Sequence, residues 1–252
     1  RQLAKHFSEI DVVSLSKGNY KLPPNVTVRS LGKDSFQGSR FKKRLHYTLL
    51  LLRNSWSMRR DYDAVFVHQA QEFVLTAGLL WLVLRKPIYL WRNHYSGSVL
   101  TAIAVFFSTK VFCTSRFSYT AKYSKTVIMP VGVDVDLFNQ TSLSSRSPRS
   151  ILFFGRFAPS KNPDVLLEAF AILRDAGVQF TASFYGTPIS EDEQFKAKHI
   201  ARVQELRLNE LVHVYPGVRH EEAPAIFSRH EICVNLSESG MYDKTIFEAA
   251  AS

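Results

Sequence analysis

The sequence predicts an α/β protein built from two doubly wound parallel sheets. Ten short runs of β-branched and aromatic residues alternate with helical stretches. Most of these runs are continuously apolar, which is typical of strands buried on both faces. The charge also changes sign along the chain: residues 1–149 hold 22 Lys/Arg and 8 Asp/Glu, whereas residues 150–252 hold 10 and 14. This asymmetry indicates two modules with different partners.

The predicted elements follow one another as alternating strands and helices. The strands cover Asp11–Leu15, Val26–Arg29, Ala64–His68, Pro87–Trp91, Lys110–Thr114, Thr126–Met129, Ser150–Gly155, Gln179–Gly186, Leu211–Tyr215 and Glu231–Asn235. Helices are predicted at Gln2–Phe7, Asn162–Ala176, Glu191–Leu206, Glu221–Ser228 and from Lys244 onward. This order favours parallel sheets with helices on their faces.

The segment Gln140–Arg149 is polar, Ser-rich and free of apolar periodicity. Because it also lies where the charge balance changes sign, it is predicted to be a linker. It separates an N-terminal domain at residues 1–139 from a C-terminal domain at 150–252. The chain begins at Arg1 without Met and ends at Ser252 soon after a helix has begun. We therefore expect a fragment that is incomplete at both ends.

Two cysteines and one basic segment bear on the environment of the protein. Cys113 and Cys233 each lie in an apolar run and are predicted to be buried free thiols, which favours a reducing compartment. The segment Arg40–Arg60 is basic at both ends with an apolar centre. Two interpretations stay open: a helix on an anionic membrane surface, or a core helix with solvated basic ends. No nucleic-acid partner is expected, because the basic residues lack an aromatic platform or recognition helix.

The first candidate site follows the predicted strand at 150–155. Gly155 permits close backbone approach, and Arg156 and Lys161 follow before a helix. Arginine and lysine side chains donate charge-assisted hydrogen bonds to phosphate oxygens, and ligands bind at the carboxyl ends of parallel strands. The segment indicates either a diphosphate site or a βα loop with two solvated cations.

The second candidate site follows the predicted strand at 231–235. A small-residue loop leads to Asp243, a good N-cap, and then to a helix. Loop amides before a helix bind anions, and Glu248 in the second turn would reach a pair of ribose hydroxyls. The alternative is a capped helix whose Glu248 faces solvent.

The third candidate site comprises histidines that follow strands in the first half. His94 lies in the polar cluster Tyr89–Tyr95, and His68 ends the strand Ala64–His68. Either histidine would be catalytic, structural or simply exposed. The sequence contains no Walker loop, no Cys/His metal spacing and no nucleophile elbow.

Four segments in order resemble the glycosyl transferases group 1 (family 4) set of retaining GT-B glycosyltransferases. Pro130–Phe138 resembles its P-N-G-V-D…F segment, and Gly155–Lys161 resembles G-R-L…K-G. Val212–Val218 resembles V-x-F-x-G, and Phe247–Ala251 resembles L-E-A-M-A. The resemblance implies two Rossmann-like domains that face each other across a cleft.

The resemblance also implies roles for individual residues. Arg156 and Lys161 would be catalytic and hold the leaving diphosphate, with His94 facing the donor sugar. Glu248 would bind the ribose, and Val218 and the turn 186–188 would lie near the base. The remaining donor-binding positions implied are Gly155, Ser239, Gly240, Met241, Tyr242, Asp243 and Lys244. The family places a first glutamate where Gly240 stands, so this chain departs from the pattern at the donor sugar.

The activity implied is transfer of a sugar from a UDP- or GDP-sugar to an acceptor hydroxyl with retention. No metal or other cofactor is expected, since Arg and Lys neutralise the leaving group. The acceptor would be a glycan or lipid-linked glycan of the cell envelope, and the protein would be cytoplasmic, with the inner face of the plasma membrane as its peripheral site. The alternatives are a nucleotide-sugar-binding or membrane-docking protein without turnover, and a GT-B-fold epimerase or phosphorylase.

Overall fold

A computed structural model describes residues 3–18, 20–33, 35–139, 146–187, 193–237 and 242–252 of the chain. The chain forms two compact units, residues 1–129 and residues 130–252. Both are α/β structures in which every observed strand pair is parallel.

The first unit contains two parallel sheets. One pairs β1 (Ile10–Ser14) with β2 (Val26–Ser30). The other has the order β3 (Val65–His68), β4 (Ile88–Trp91), β5 (Lys110–Cys113) and β6 (Thr126–Ile128). The helices are α1 (Arg40–Ser57), α2 (Gln71–Val83) and α3 (Val99–Phe107). Their apolar side chains and the inner strand residues Leu90 and Val111 form one buried cluster.

The second unit contains one four-stranded parallel sheet in the order β10 (His230–Val234), β7 (Ser147–Phe154), β8 (Thr181–Tyr185) and β9 (Val212–Tyr215). Its helices are α4 (Val135–Phe138), α5 (Pro163–Asp175), α6 (Glu193–Glu205), α7 (Ala223–Phe227) and α8 (Lys244–Ala250). Successive side chains of β7 point to opposite faces: Phe153 packs in one buried cluster and Leu152 in another. The sheet is therefore covered on both faces, as its continuously apolar strands predict.

All ten predicted strands and the four helices predicted in the second half are present, with ends that differ by at most three residues. Two local predictions were wrong. The helix expected at Gln2–Phe7 is a short 3-10 turn at Leu3–Lys5. Cys233 is exposed, whereas Cys113 is buried as predicted. Within the described strands β10 has a neighbour on one side only, so Cys233 lacks the cover that inner strands receive.

The predicted linker at 140–149 lies inside the second unit, since the chain divides after Met129. Residues 140–145 lie outside the described residues. Residues 147–149 belong to β7 instead, because Ser147 pairs with His230 and its N–H donates to the Arg229 carbonyl at 2.9 Å. No helix in the described part of the chain is long and apolar enough to cross a membrane.

Candidate functional site

The loop after β7 is anchored by an aromatic side chain. Phe157 is fully buried, and its ring centroid lies 6.0 Å from that of Phe153 and 5.4 Å from the ring of His199. Arg156, one residue earlier, is exposed. Burial of Phe157 therefore fixes the loop on the sheet while the Arg156 guanidinium faces solvent at the carboxyl end of β7.

The backbones that leave β7 and β8 approach each other closely. The Gly155 N–H donates to the Tyr185 carbonyl at 3.0 Å. A Cβ atom added to Gly186 would lie 2.0 Å from the Gly155 carbonyl oxygen, which no side chain could occupy. Gly186 is therefore the residue that requires glycine here, and the approach of a diphosphate to Gly155 stays a prediction.

Lys161 ends a 3-10 turn, Pro159–Lys161, and its ammonium reaches the loop after β10. Its Nζ donates to Asp243 Oδ2 and, at 2.9 Å, to Ser237 Oγ. The next residue, Asn162, donates from Nδ2 to the Leu236 carbonyl at 2.9 Å. These contacts join the two candidate loops, which are 74 to 82 residues apart in sequence.

Asp243 is the centre of this network. Its Oδ2 accepts hydrogen bonds from Asn235 Nδ2 at 2.8 Å and Ser237 Oγ at 3.0 Å, in addition to Lys161. Its Oδ1 accepts from the Thr245 N–H at 3.3 Å and caps α8. Burial alone would raise the pKa of Asp243, but the hydrogen bonds from Lys161 and Asn235 outweigh burial and lower it to about 2. The carboxylate is therefore ionised across the physiological range.

Glu248 does not face solvent. The residue is 4% exposed, and its Oε1 lies 3.2 Å from His220 Nε2 and 3.2 Å from Lys244 Nζ. A buried carboxylate requires such partners. The alternative in which Glu248 faces solvent is therefore wrong, and its binding to the ribose stays a prediction.

Residues 135–251 match the sequence model of the family described as Glycosyl transferases group 1. The matched segment covers just under half of the chain. It spans nearly the whole second unit and includes the Lys161 network and Glu248. The match supports a glycosyltransferase, as the four sequence segments predict. No curated protein matches the chain by sequence.

Solved structures similar to the chain cover both units. HepE from Anabaena in complex with UDP and glucose matches with a TM-score of 0.73 and 16% identity, over 96% of this chain and 70% of that one. Sucrose-phosphate synthase from Thermosynechococcus elongatus matches with a TM-score of 0.75 and 16% identity, over 98% of this chain and 70% of that one. A glycosyltransferase from Rickettsia africae matches with a TM-score of 0.66 and 17% identity, over 90% of this chain and 64% of that one. The chain thus has the GT-B fold and spans about two thirds of the length of these proteins.

The other predicted donor-binding residues of the matched segment are placed as follows. Val218 is partly buried against the cluster that contains Phe138 and Phe227. Tyr242 is 56% exposed, and its ring lies edge-on to Phe247 with centroids 6.0 Å apart. Ser239, Gly240 and Met241 lie outside the described residues, as does Pro188 of the turn at 186–188.

Three residues near the site were not singled out by the sequence. Asn235 and His220 hold the carboxylates of Asp243 and Glu248, respectively. Lys196 on α6 lies with its Nζ 5.2 Å from the Phe157 ring centroid and 3.4 Å from the Gly186 carbonyl oxygen. It is a further cation beside the carboxyl end of β8. Only the fold brings it there, since nothing in the spacing of α6 links it to Gly186.

In the first unit, the predicted histidines are both exposed. His94 Nδ1 accepts from the Ser96 N–H at 3.0 Å. The His94 ring stacks on Tyr95 with centroids 4.7 Å apart. His68 stacks on Trp91 with centroids 6.3 Å apart. The geometry orients His94, and its catalytic role remains a prediction.

The polar cluster around His94 is held at the carboxyl ends of β4 and β5. The Asn93 N–H donates to Gln69 Oε1 at 3.2 Å, and Asn93 Oδ1 accepts from the Thr114 N–H at 3.1 Å. The Arg92 carbonyl accepts from Thr120 Oγ1 at 2.9 Å. The loop carrying His94 is therefore fixed by hydrogen bonds from neighbouring strand ends.

Proposed function

We propose that the protein transfers a sugar from a nucleoside-diphosphate sugar to an acceptor hydroxyl with retention at the anomeric carbon. The observation that carries this proposal is the junction of the two candidate loops in the second unit. Lys161 from the loop after β7 meets Asp243 at the start of α8, and α8 also presents the buried Glu248. Lys161, the proposed phosphate-binding cation, and Glu248, the proposed hydroxyl-binding carboxylate, thus share one edge of a parallel sheet, where ligands of such sheets bind.

Arg156 and Lys161 would offset the charge that develops on the diphosphate as it leaves. Preorganised donors at such a position lower the barrier because they need no rearrangement during the reaction. Two cations can supply the electrostatic role that a metal ion serves elsewhere, so we propose transfer without a metal or other cofactor. Glu248, with Oε1 held by His220 and Lys244, would accept hydrogen bonds from the ribose hydroxyls.

A UDP-sugar is the first donor to test, because the similar HepE structures contain UDP, UDP with glucose, or UDP-glucose. GDP-sugars should be tested beside UDP-sugars. We propose that His94 of the first unit faces the donor sugar and that the acceptor is a glycan or lipid-linked glycan of the cell envelope. The net positive charge of residues 1–149 supports an acceptor at an anionic surface.

The experiment is turnover of a panel of UDP- and GDP-sugars by the complete protein, with Arg156→Ala and Lys161→Ala beside the wild type. We expect one donor class to be consumed and each variant to lose about 100-fold or more in kcat. Undiminished turnover in both variants would refute the phosphate assignment. Nucleotide binding without turnover of any donor would instead support the alternative of a binding protein, and product analysis by NMR tests retention.

Helix α1 supports a second proposal, peripheral binding to an anionic membrane. Its exposed apolar side chains are Phe41, Leu45, Leu49 and Trp56, spaced so that they follow one face of the helix. The opposite side packs in the core through Leu51. The basic residues of the segment are Arg40, Lys42, Lys43, Arg44, Arg53, Arg59 and Arg60. Apolar and basic side chains together suit a surface of anionic lipids.

Vesicle sedimentation tests this surface directly. We expect the protein to sediment with vesicles of phosphatidylcholine and phosphatidylglycerol but not with phosphatidylcholine alone, and the binding to weaken with salt. The double variant Leu45→Gln, Leu49→Gln should lose binding. The matched control Leu79→Gln, Leu82→Gln alters two exposed leucines of α2 and should retain it. Equal binding by both double variants would contradict the assignment to α1. Such a surface would place the enzyme at the cytoplasmic face of the plasma membrane.

A further inference from the structure

We propose that Asp243 is the positioning residue of Lys161, aiming its ammonium at the donor diphosphate; this deepens the proposed function and rests on it. Lys161 is otherwise a long side chain with four rotatable bonds, and a loop residue of this kind samples many positions. Here its Nζ is held by Asp243 Oδ2 and Ser237 Oγ, and its side chain is only 19% exposed.

The two oxygens of the Asp243 carboxylate accept hydrogen bonds from different partners. Oδ1 accepts from the Thr245 N–H and caps α8. Oδ2 faces away from the cap and accepts from Lys161, Asn235 and Ser237. A helix cap needs only the first oxygen, and asparagine caps as well as aspartate. The negative charge and the Oδ2 contacts therefore serve the cation rather than the helix.

The arrangement also leaves Lys161 able to bind a ligand. An ammonium has three N–H donors, and among the described residues two acceptors, Asp243 Oδ2 and Ser237 Oγ, are recorded for it. The third donor would point to a phosphate oxygen, while the other two fix the direction. The hydrogen bonds that Asp243 receives from Asn235 and Ser237 stabilise its ionised form and keep it in place.

A second tie between the same loops provides a control. Asn162 has φ of 47° and donates from Nδ2 to the Leu236 carbonyl. Asn162→Gly retains this backbone conformation and removes the tie without changing any charge. Asp243→Asn retains the helix cap and removes the charge beside Lys161. If Asp243 only holds the loops together, the two variants will behave alike.

The first readout needs no turnover. Acylation of Lys161 by acetic anhydride is followed by mass spectrometry of its peptide in the complete protein. We expect Asp243→Asn to speed the reaction about tenfold, since the lost ion pair frees the Lys161 side chain and exposes its Nζ to the reagent. Asn162→Gly should leave the rate unchanged. Equal rates in wild type and Asp243→Asn would overturn the proposal, whatever nucleotide the protein binds.

The second readout uses the donor identified in the turnover panel. Asp243→Asn should lower kcat about tenfold or more, as expected for a displaced catalytic group. In the Lys161→Met background the same substitution should change kcat less than threefold, because Asp243 acts through Lys161. If the double variant instead loses kcat by the product of the two single losses, the proposal is overturned. If no donor is turned over at all, the proposed function fails instead, and the acylation rates still test the contact.

Discussion

His220 Nε2 lies 3.2 Å from Oε1 of Glu248, and Lys244 Nζ lies at the same distance from that oxygen. The carboxylate is buried, whereas the side chains of His220 and Lys244 are about half exposed. Both groups reach the same oxygen, so they hold Oε1 of Glu248 in position in the proposed donor site. This relationship gives the first prediction.

Replacing Glu248 with Gln should weaken UDP binding by about tenfold or more. The amide has the same shape but loses the charge that accepts strong hydrogen bonds, each contributing roughly 1.5–3 kcal/mol. Isothermal titration calorimetry with UDP measures the change. Glu222→Gln is the control, because its exposed side chain pairs with Arg219 in the same unit. Equal weakening by both variants would show a general charge effect.

Gly186→Ala should destabilise the second unit and abolish nucleotide binding. The added Cβ would meet the Gly155 carbonyl at 2.0 Å, so the two strand ends must separate. Overpacking of this kind costs roughly 1–3 kcal/mol. Chemical denaturation measures the loss. Gly132→Ala meets no atom within 4 Å and should be neutral. A Gly186→Ala protein with wild-type stability would contradict the close approach.

Ionisation of Asp243 should make the free energy of unfolding depend on pH in acid. Its pKa is about 2 in the fold and near 3.8 in an unfolded chain, so the unfolded state binds more protons between these values. The stabilisation, on the order of 2 kcal/mol, is complete above about pH 5 and is lost as the pH falls toward 2. Denaturation of wild type and Asp243→Asn between pH 2 and 5 should show a smaller slope in the variant.

Protonation of His199 should make the free energy of unfolding depend on pH at higher pH values than Asp243 does. The side chain is fully buried, its Nδ1 lies 2.9 Å from Asp164 Oδ1, and its Nε2 is without a partner among the described residues. Burial lowers the pKa of His199 from 6.5, while the contact with Asp164 opposes the shift. The unfolded state thus binds the proton first, and stability should fall as the pH drops below 6.5. In His199→Gln this slope should diminish; an unchanged slope would assign it to other groups.

The sequence predicted the sheets well because their signal is local. The runs Ile151–Phe154 and Val111–Cys113 are apolar throughout, and such runs form buried parallel strands. Family resemblance and spacing also singled out Lys161 and Glu248. The structure places both at the same edge of the four-stranded sheet of the second unit.

Local sequence patterns do not predict which residues contact Lys161 and Glu248. Lys161 meets Ser237 across 76 residues, and His220 meets Glu248 across 28. No periodicity encodes such contacts, and the one between Lys161 and Ser237 depends on the adjacency of β7 and β10. Cys233 was misjudged for the same reason: its run is as apolar as an inner strand, and only the strand order leaves it exposed.

The most direct test of the central claim compares nucleoside and nucleoside diphosphate binding by calorimetry. Uridine, UDP, guanosine and GDP are titrated into the complete wild-type protein and the Arg156→Ala variant. We predict that one diphosphate binds at least about tenfold more tightly than its nucleoside, and that Arg156→Ala removes most of this difference while nucleoside affinity stays the same. Equal affinities for nucleoside and diphosphate in the wild type, or binding of neither, would contradict the account.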